Sequence, residues 1–263
     1  MRRATFFRSL GIALIPTLSA VGAFAGWEDC DGWERDSGSK GRYCEMRELA
    51  FAPTGSLTVD ADRNGGIGVK GSERNDVLVR ARVHVWDRTE AEARSLAERI
   101  EIRAGDGRVW TEGPSNNNWS VSYEIEAPRR TDLDLQTRNG GLSVAGVTGT
   151  MRLEAHNGGL ALDDIAGDVR ARTTNGGLKV ALTGHEWEGR GLDAETTNGG
   201  VKLSIPDDYS AQLETGTVNG RVNIDFPVTV QGSLHRNIST TLGSGGSPIR
   251  LRTTNGGVIV TRR

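Results

Sequence analysis

Hydrophobic and polar residues alternate along most of this 263-residue chain. The alternation breaks repeatedly at one short phrase, Asn-Gly-Gly, as in "RTTNGGLKV" (172–180). Two, four and six positions before each Asn lie mostly apolar residues and threonine, with polar residues between them. These positions hold Thr137, Leu135, Leu133; Ala155, Leu153, Met151; Thr173, Ala171, Val169; Thr196, Ala194, Leu192; Thr217, Thr215, Leu213; and Thr253, Leu251, Ile249. Such alternation is typical of strands with one buried face.

The Asn of this phrase recurs with a nearly constant period. From residue 139 onward the gaps are 18, 18, 23, 21 and 36 residues, and Asn237 lies halfway through the last gap. A fixed period indicates a repeat architecture, and we expect Asn237 to mark one degenerate unit. Each unit of roughly 18 residues would hold two short strands joined at an Asn-Gly-Gly corner, because Asn and Gly tolerate the positive φ that a sharp corner requires. The asparagines are Asn64, Asn139, Asn157, Asn175, Asn198, Asn219 and Asn255.

Two arrangements fit this spacing, a parallel β-solenoid and an antiparallel meander. The inward phase of Thr and Asn favours the solenoid, in which the asparagines from Asn139 to Asn255 form a column of hydrogen-bonded side chains. The outer charges Glu154, Arg172 and Glu195 also alternate in sign, which is attractive in a parallel stack. We therefore predict an all-β parallel solenoid with NGG corners. Asn175 would have a neighbour on both sides, whereas Asn255 would end the column.

The segment from about 76 to 128 does not follow the repeat. "DVLVRARVHVW" predicts a strand, and "TEAEARSLAERI" predicts a helix with a capping box at Thr89 and Glu92. "IEIRAGDGRVWTEG" predicts a hairpin and "WSVSYEIEAP" a further strand. The apolar face of the helix would consist of Ala93, Leu96, Ala97 and Ile100. We interpret this segment as a small α+β insertion that covers one end of the stack; a separate ligand-binding domain is the alternative.

The first 25 residues have the features of a secretory signal peptide. A basic start, a short apolar run broken by Pro16 and a small-residue site before Gly26 predict cleavage after Ala25. An uncleaved membrane anchor is the alternative. The mature protein is expected to have no transmembrane segment and to be exported, to the periplasm, the outer surface or the medium.

Two cysteines, Cys30 and Cys44, flank a polar loop in the N-terminal segment 26–54. In an oxidising compartment an even number of cysteines predicts one disulfide. A zinc site is the alternative, but it would need two further ligands. The solenoid domain would then span residues 55–263.

The net charge of the chain indicates which class of binding partner to expect. It is −2 for the whole chain and −5 once Arg2, Arg3 and Arg8 are removed with the signal peptide. A nucleic-acid partner would favour a basic face, so we expect none. The partner is instead predicted to be a surface, a polymer or a protein.

The sequence contains no recognisable catalytic, metal or cofactor motif. Its four histidines are scattered, and both cysteines are assigned to the disulfide. Asp163, Asp164 and Asp168 cluster in "GGLALDDIAGD", which allows a weak calcium contact, but the spacing of calcium-binding glycine-rich repeats is missing. We expect no cofactor.

A polysaccharide-cleaving solenoid is the strongest enzymatic alternative. Asp193 and Glu195 would adjoin Arg170 and Arg172 of the neighbouring unit, and paired carboxylates on an exposed face could resemble a glycosidase site. Alternating charges on a solvated ladder are far more common, and the repeat face lacks aromatic residues that would stack on sugars. Trp187 is expected in a loop or as a plug over the enlarged 23-residue unit. We therefore predict that the protein is not an enzyme.

The repeated phrases resemble those of a known family. "TRNGGLSV", "TTNGGLKVALTGHEWEGRGLDAETTNGGVKLSIPDDYSA", "TVNGRVNIDFP", "RTTNGGVIV" and "CEMRE" are similar to the putative bacterial adhesin family of exported proteins, over roughly residues 44 to 263. The resemblance implies a β-solenoid in the cell envelope or outside it, and no catalytic residues. Fold does not fix function. An adhesive or structural role is the main prediction; a periplasmic partner in envelope-stress signalling and a glycan-active enzyme are the alternatives.

Overall fold

The computed structural model describes residues 30, 41–62, 64–225 and 236–263. The predicted signal peptide, 1–25, lies outside these residues. Within the described ranges the chain forms twenty strands and one helix. The elements are β1 (Gly41–Phe51), β2 (Ser56–Asp60), β3 (Ile67–Ser72), β4 (Val77–Asp87), α1 (Glu90–Ala97), β5 (Glu101–Gly105), β6 (Arg108–Glu112), β7 (Trp119–Pro128), β8 (Asp132–Asn139), β9 (Leu142–Ala145), β10 (Thr148–Asn157), β11 (Leu160–Asp163), β12 (Ala166–Asn175), β13 (Leu178–Ala181), β14 (Gly191–Asn198), β15 (Val201–Ile205), β16 (Ala211–Asn219), β17 (Val222–Ile224), β18 (Asn237–Leu242), β19 (Pro248–Asn255) and β20 (Val258–Arg262).

The strands form two ten-stranded sheets that enclose one hydrophobic core. Sheet A has the order β1-β4-β7-β3-β9-β11-β13-β15-β20-β17, and sheet B has the order β18-β16-β19-β14-β12-β10-β8-β2-β6-β5. Along the repeat strands, alternate residues are buried, as in β10, where Met151, Leu153 and Ala155 face the core. The predicted all-β class is therefore confirmed.

Parallel pairing joins successive coils, each of which has one strand in sheet B, a corner, and one strand in sheet A. Asn157 lies opposite Asn139 on one side and Asn175 on the other. The pairing is not parallel throughout, because antiparallel pairs occur at both ends of the stack: β1–β4–β7, β5–β6 and β16–β18. The sheets are thus mixed: the expected parallel pairing holds between successive coils, and it does not extend to the ends of the stack. Additional strands at the ends occupy sheet edges that a bare coil would leave exposed.

The last coil of the chain does not lie at the end of the stack. β19 pairs with β14 on one side and with β16 on the other, and β20 lies likewise between β15 and β17. Charge explains this order. Arg250 lies opposite both Asp193 and Glu214, whereas direct pairing of β14 with β16 in the same register would place these two carboxylates side by side, which is destabilising.

Asn237 was expected to mark a degenerate coil, and that expectation is wrong. It begins β18, which runs antiparallel to β16, with Asn237 opposite Gly216. The 36-residue gap between Asn219 and Asn255 therefore contains an antiparallel edge strand of sheet B.

The first glycine of each corner is required by the close approach of the coil beside it. A Cβ atom at Gly176 would lie 2.2 Å from the carbonyl oxygen of Gly158, and one at Gly158 would lie 1.9 Å from that of Gly140. Gly176 is not among the residues with positive φ. The expected reason for glycine at this position, positive φ, is therefore wrong: the constraint is contact between neighbouring backbones.

The second glycine of each corner is less constrained. A Cβ atom at Gly177 would lie 3.4 Å from the carbonyl oxygen of Gly200, an ordinary contact distance. In the corner of β16 and β17, which ends the stack, Arg221 takes this position. This difference explains why the phrase there reads Asn-Gly-Arg.

Buried threonine hydroxyls form hydrogen bonds with the carbonyl oxygen of the first glycine of a corner. In most coils the threonine two residues before the Asn donates its hydroxyl hydrogen bond to the first-glycine carbonyl oxygen of the adjacent coil. The bonds are Thr137 to Gly65, 2.7 Å; Thr173 to Gly158, 2.7 Å; Thr196 to Gly176, 2.8 Å; Thr253 to Gly199, 2.7 Å; and Thr217 to Gly256, 2.8 Å. Ala155 occupies the same position in β10 and cannot make this bond.

The segment from β4 to β7 extends both sheets at the N-terminal end of the stack. β4 and β7 continue sheet A, whereas β5 and β6 form an antiparallel hairpin on sheet B. The helix begins with the predicted capping box of Thr89 and Glu92, which is confirmed, and buries Ala93, Leu96 and Ala97. Arg47 of β1 donates to the carbonyl oxygen of Ala97 at the end of the helix, 2.8 Å away.

A disulfide joins Cys30 to Cys44, with the two Cα atoms 5.5 Å apart. Cys44 is buried in β1, at the edge of sheet A. The bond therefore attaches Cys30 to the sheet.

The difference between the two corner glycines gives a matched pair of variants. We expect Gly176→Ala to lower the free energy of unfolding by about 3 kcal/mol, because its Cβ atom overlaps the backbone of the adjacent corner. Gly177→Ala should cost less than about 1 kcal/mol, because its Cβ atom would make only an ordinary contact. Both substitutions change the unfolded chain alike, so the difference between them reports on the folded state. Denaturant unfolding of the two proteins provides the measurement. Equal losses would contradict the proposed backbone contact.

The gap in the threonine column predicts a stabilising substitution. Ala155→Thr would place a hydroxyl next to the carbonyl oxygen of Gly140, between Thr137 and Thr173 in register. We expect a gain of about 0.5–1.5 kcal/mol in unfolding free energy from the added hydrogen bond. Thr173→Val, which keeps the shape and removes the hydroxyl, should cost a similar amount. A destabilised Ala155→Thr protein would show that the column does not accept another threonine.

Candidate functional site

The asparagines of the corners form a continuous row of side-chain hydrogen bonds, here called the asparagine ladder. Each side-chain Nδ2 donates to the Oδ1 of the Asn on the neighbouring coil towards the N-terminal end of the stack. The bonds run from Asn139 to Asn64, 3.1 Å; Asn157 to Asn139, 2.8 Å; Asn175 to Asn157, 2.8 Å; Asn198 to Asn175, 2.8 Å; Asn255 to Asn198, 2.7 Å; and Asn219 to Asn255, 2.8 Å.

The position of this ladder differs from the sequence-based expectation in two respects. Its asparagines are exposed or half-buried, whereas the threonines two residues earlier are buried. The strand alternation ends at the corner, so the inward phase does not extend to the Asn. Asn255 also bonds to a neighbour on each side, because its coil lies within the stack. It does not end the ladder as expected; Asn219 does.

A polar groove of about 1080 Å³, here called the corner groove, lies beside the ladder on the outer face of sheet B. Five neighbouring strands, from β2 to β14, contribute their outward-phase residues to it. Its lining side chains include Asp60, Asp62, Gln136, Arg138, Glu154, His156, Arg172, Thr174, Glu195 and Thr197. Because strand spacing repeats at about 4.8 Å, the groove presents polar groups at regular intervals.

Ion pairs order part of this groove. Arg172 of β12 lies 3.7 Å from Glu195 of β14, and Arg152 lies 3.0 Å from Glu154 within β10. These side chains are well exposed, so each pair contributes little to stability, about 0–1 kcal/mol. Arg138 and His156, each next to a ladder Asn, line the corner side of the groove.

A second depression, here called the corner pocket, continues the groove past the N-terminal end of the ladder. It measures about 700 Å³ and shares Arg138 with the groove. Its lining consists of Asn64, Gly65, His84, Trp86, Asn117, Ser120, Arg138 and Asn139. Groove and pocket therefore adjoin at Arg138, and the pocket carries the aromatic residue Trp86.

Sequence reasoning did not identify the corner pocket. His84 and Trp86 lie in the outward phase of β4, opposite the buried Val83 and Val85. Their alternation with valine was visible in "DVLVRARVHVW". What the alternation could not show is that β4 and β7 lie beside β3, which brings these side chains to the corner asparagines.

The imidazole of His84 is unusual in its protonation. Burial, together with the positive charge of Arg82, lowers the pKa of His84 from 6.5 to about 4. The ring is therefore neutral at pH 7, with one nitrogen that donates and one that accepts a hydrogen bond.

The pair suggested as a glycosidase mimic lies on β14. Asp193 is opposite Arg170 and Arg250, and Glu195 is opposite Arg172 and Arg252. A glycosidase needs one carboxylic acid that keeps its proton for the leaving group. Glu195 instead forms the ion pair with Arg172. The arrangement is that of a charge ladder.

The aspartates proposed as a weak calcium contact have separate partners. Asp164 accepts a hydrogen bond from Thr183, Asp168 pairs with Arg190, and Asp163 lies 3.5 Å from Arg263. Among the residues that the structure describes, no group of three His, Cys, Asp or Glu side chains is placed to hold a metal ion.

The other candidates from the sequence are dispersed. His185 Nδ1 lies 2.6 Å from Asp208 in an exposed loop, and His235 lies outside the described residues. Trp187 is buried, and its Nε1 donates to the carbonyl oxygen of Gly167, 3.0 Å away. It thus plugs the enlarged coil, one of the two roles expected for it.

The chain was compared with known proteins. The family model described as Toastrack DUF4097 matches residues 91–261, more than half of the chain. The chain belongs to the Toastrack DUF4097 family. No curated protein matches it significantly. None of the helical stretches in the described ranges has the length and hydropathy that a membrane crossing requires.

Three solved structures are similar to this Toastrack DUF4097 chain. A "putative cell adhesion protein" from Clostridium sporogenes ATCC 15579 is 12% identical; the match covers 84% of this chain and 100% of the other, with a TM-score of 0.48. A "putative adhesin" from Bacteroides fragilis NCTC 9343 is 11% identical, with coverage of 83% and 97% and a TM-score of 0.37. A "putative lipid binding protein" from Parabacteroides distasonis ATCC 8503 is 11% identical, with coverage of 83% and 96% and a TM-score of 0.32. These TM-scores are below 0.5, and we draw no conclusion from them.

The lowered pKa of His84 predicts a specific pH dependence of stability. Between pH 6.5 and 4 the unfolded chain binds a proton at His84 that the folded protein does not, so stability falls as the pH falls through this window. We expect His84→Gln to reduce that loss. Urea unfolding at pH 7 and pH 4.5 measures it, with His156→Gln as the control. The same pH dependence in His84→Gln and wild type would contradict the neutral imidazole.

Proposed function

We propose that this protein is an exported, non-catalytic β-solenoid that binds an extended polar polymer on a surface of the bacterial cell envelope. The observation that carries the proposal is the pair of polar depressions, the corner groove and the corner pocket, that adjoin at Arg138. The role is adhesive or structural, and the ligand is held along the stack of coils.

The disulfide supports export. A bond between Cys30 and Cys44 is of the kind that persists in oxidising compartments and is rare in the cytosol. Together with the predicted signal peptide, it favours the periplasm, the outer surface or the medium as the location.

The chemistry of the surface supports a polar and extended ligand. The groove carries charges of both signs, an amide and hydroxyl groups, repeated from strand to strand. A polymer with regularly spaced hydroxyl, amide or charged groups can contact several coils at once. Trp86 in the pocket adds an aromatic face at one end. Binding that depends on exposed charges should weaken as the salt concentration rises.

The pairing within the surface supports a role without catalysis. Glu195 and Glu154 have arginine partners, and the ladder asparagines bond to one another. Groups held in repeated pairs present a uniform face rather than one reactive centre. The binding proposal therefore needs no proton-transfer step.

Two charge reversals on opposite faces test the proposal. Arg138→Glu changes the residue that joins groove and pocket, whereas Lys179→Glu makes the same change on the outer face of sheet A. We expect Arg138→Glu to weaken co-sedimentation with isolated bacterial cell envelopes at least about tenfold, and Lys179→Glu to leave it near wild type. Thermal unfolding would confirm that both variants are folded. Equal binding by Arg138→Glu and wild type would overturn the assignment of this surface.

A further inference from the structure

The last coil of the chain fills a slot between two other coils. This terminal coil, β19 and β20 (residues 248–262), is paired on both sides in both sheets. The terminal slot is formed by β14 and β15 on one side and by β16 and β17 on the other. Withdrawal of the terminal coil would therefore open a gap inside the stack, with unpaired strand edges on both of its sides.

The slot is complementary to the coil in charge. On its outer face in sheet B, Asp193 and Glu195 lie on one side and Glu214 on the other. The coil places Arg250 opposite Asp193 and Glu214, and Arg252 opposite Glu195. The Nε of Arg250 lies 2.9 Å from the carboxylate of Glu214. Closure of an empty slot by pairing β14 with β16 in the same register is disfavoured, because Asp193 would then face Glu214.

The corner bonds make the fit specific. Thr253 donates to the carbonyl oxygen of Gly199, 2.7 Å away, and Thr217 donates to that of Gly256, 2.8 Å away. Asn255 joins the asparagine ladder between Asn198 and Asn219. All of these contacts are made by side chains and backbone of residues 248–262 with earlier coils.

A glycine-rich connection precedes the terminal coil. Residues 243–247 read Gly-Ser-Gly-Gly-Ser, and Gly243, Gly245 and Gly246 have φ values of 52°, 82° and 132°. Glycine reaches such values and many others at low cost, so the connection can change direction.

We propose that the terminal coil of one copy fills the terminal slot of a second copy of this chain, producing a domain-swapped assembly. Every contact of the coil is then made between chains with the geometry seen within one chain, and only residues 243–247 change conformation. Reciprocal exchange gives a dimer, and head-to-tail exchange gives a linear series. Exchange of an identical element needs no new surface, so high protein concentration during refolding favours it.

Two variants, each with one cysteine added to the native Cys30–Cys44 pair, test the exchange. Lys202 and Ile259 lie opposite each other in β15 and β20, on the exposed outer face of sheet A. Lys202→Cys and Ile259→Cys proteins are mixed in urea, refolded together at high concentration and oxidised. We expect disulfide-linked dimers that contain one chain of each variant, identified by mass. Mixing the folded proteins without urea should give at least about fivefold less.

Two controls make the result decisive. Ser143→Cys replaces Lys202→Cys in a matched mixture, because Ser143 lies on the same face but three strands away from β15; it measures random cross-linking. A single chain with both Lys202→Cys and Ile259→Cys shows whether the pair can form a disulfide at all. The proposal is overturned if that chain cross-links internally while the mixed variants form no more dimer than the Ser143→Cys control.

Charge reversal separates slot filling from general aggregation. One chain carries Arg250→Glu, and the other carries Asp193→Arg and Glu214→Arg, so that residue 250 faces both altered slot positions. Each chain then has a coil and a slot of like charge, whereas the two chains complement each other. Native mass spectrometry after joint refolding should show mainly the mixed dimer. If the two variants stay monomeric, or form dimers of one variant as often as dimers of both, the exchange does not depend on charge pairing in the terminal slot.

Discussion

The architecture depends on the approach of one backbone to another at the corners. From Gly140 onward, the first glycine of each corner lies so close to the carbonyl oxygen of the adjacent corner that no Cβ atom fits between them. The buried threonine hydroxyl of the approaching coil bonds to the same oxygen, as Thr173 does to Gly158. The steric exclusion of a Cβ atom and the threonine hydrogen bond thus act at the same carbonyl oxygen. Together they fix the register of successive coils. The regular outer face, with its groove, follows from that register.

The charges of the outward residues distinguish coils that the corner contacts do not distinguish. The corner phrases are nearly identical from coil to coil, so glycine, threonine and asparagine contacts alone would allow the last three coils to stack in chain order. The outward residues distinguish them, because Arg250 separates Asp193 from Glu214. A single repulsive pair of carboxylates is a small effect by itself. Between arrangements that otherwise share the same hydrogen bonds, a small effect is enough to select one.

The sequence predicts features that depend on nearby residues. The burial of Met151 and Leu153 follows from period-two alternation, and the helix start at Thr89 follows from its capping box. Features that depend on distant residues were missed or wrongly placed. The position of the terminal coil rests on charges that are far apart in the chain, and the corner pocket exists because an insertion brings His84 to Asn139. The ladder was found, but its exposure was not, since strand alternation stops where the chain turns.

The asparagine ladder also has a direction. Every amide nitrogen donates towards the N-terminal end of the stack, so the side-chain dipoles are aligned and strengthen one another along the row. The two ends therefore differ: Asn219 ends the row with its carbonyl oxygen, and Asn64 ends it with its NH₂ group. Because Asn64 lines the corner pocket, the electropositive pole of the row lies where the groove meets its aromatic end. A polymer of the kind proposed above would place oxygen atoms at that pole, which would give it a preferred polarity along the stack.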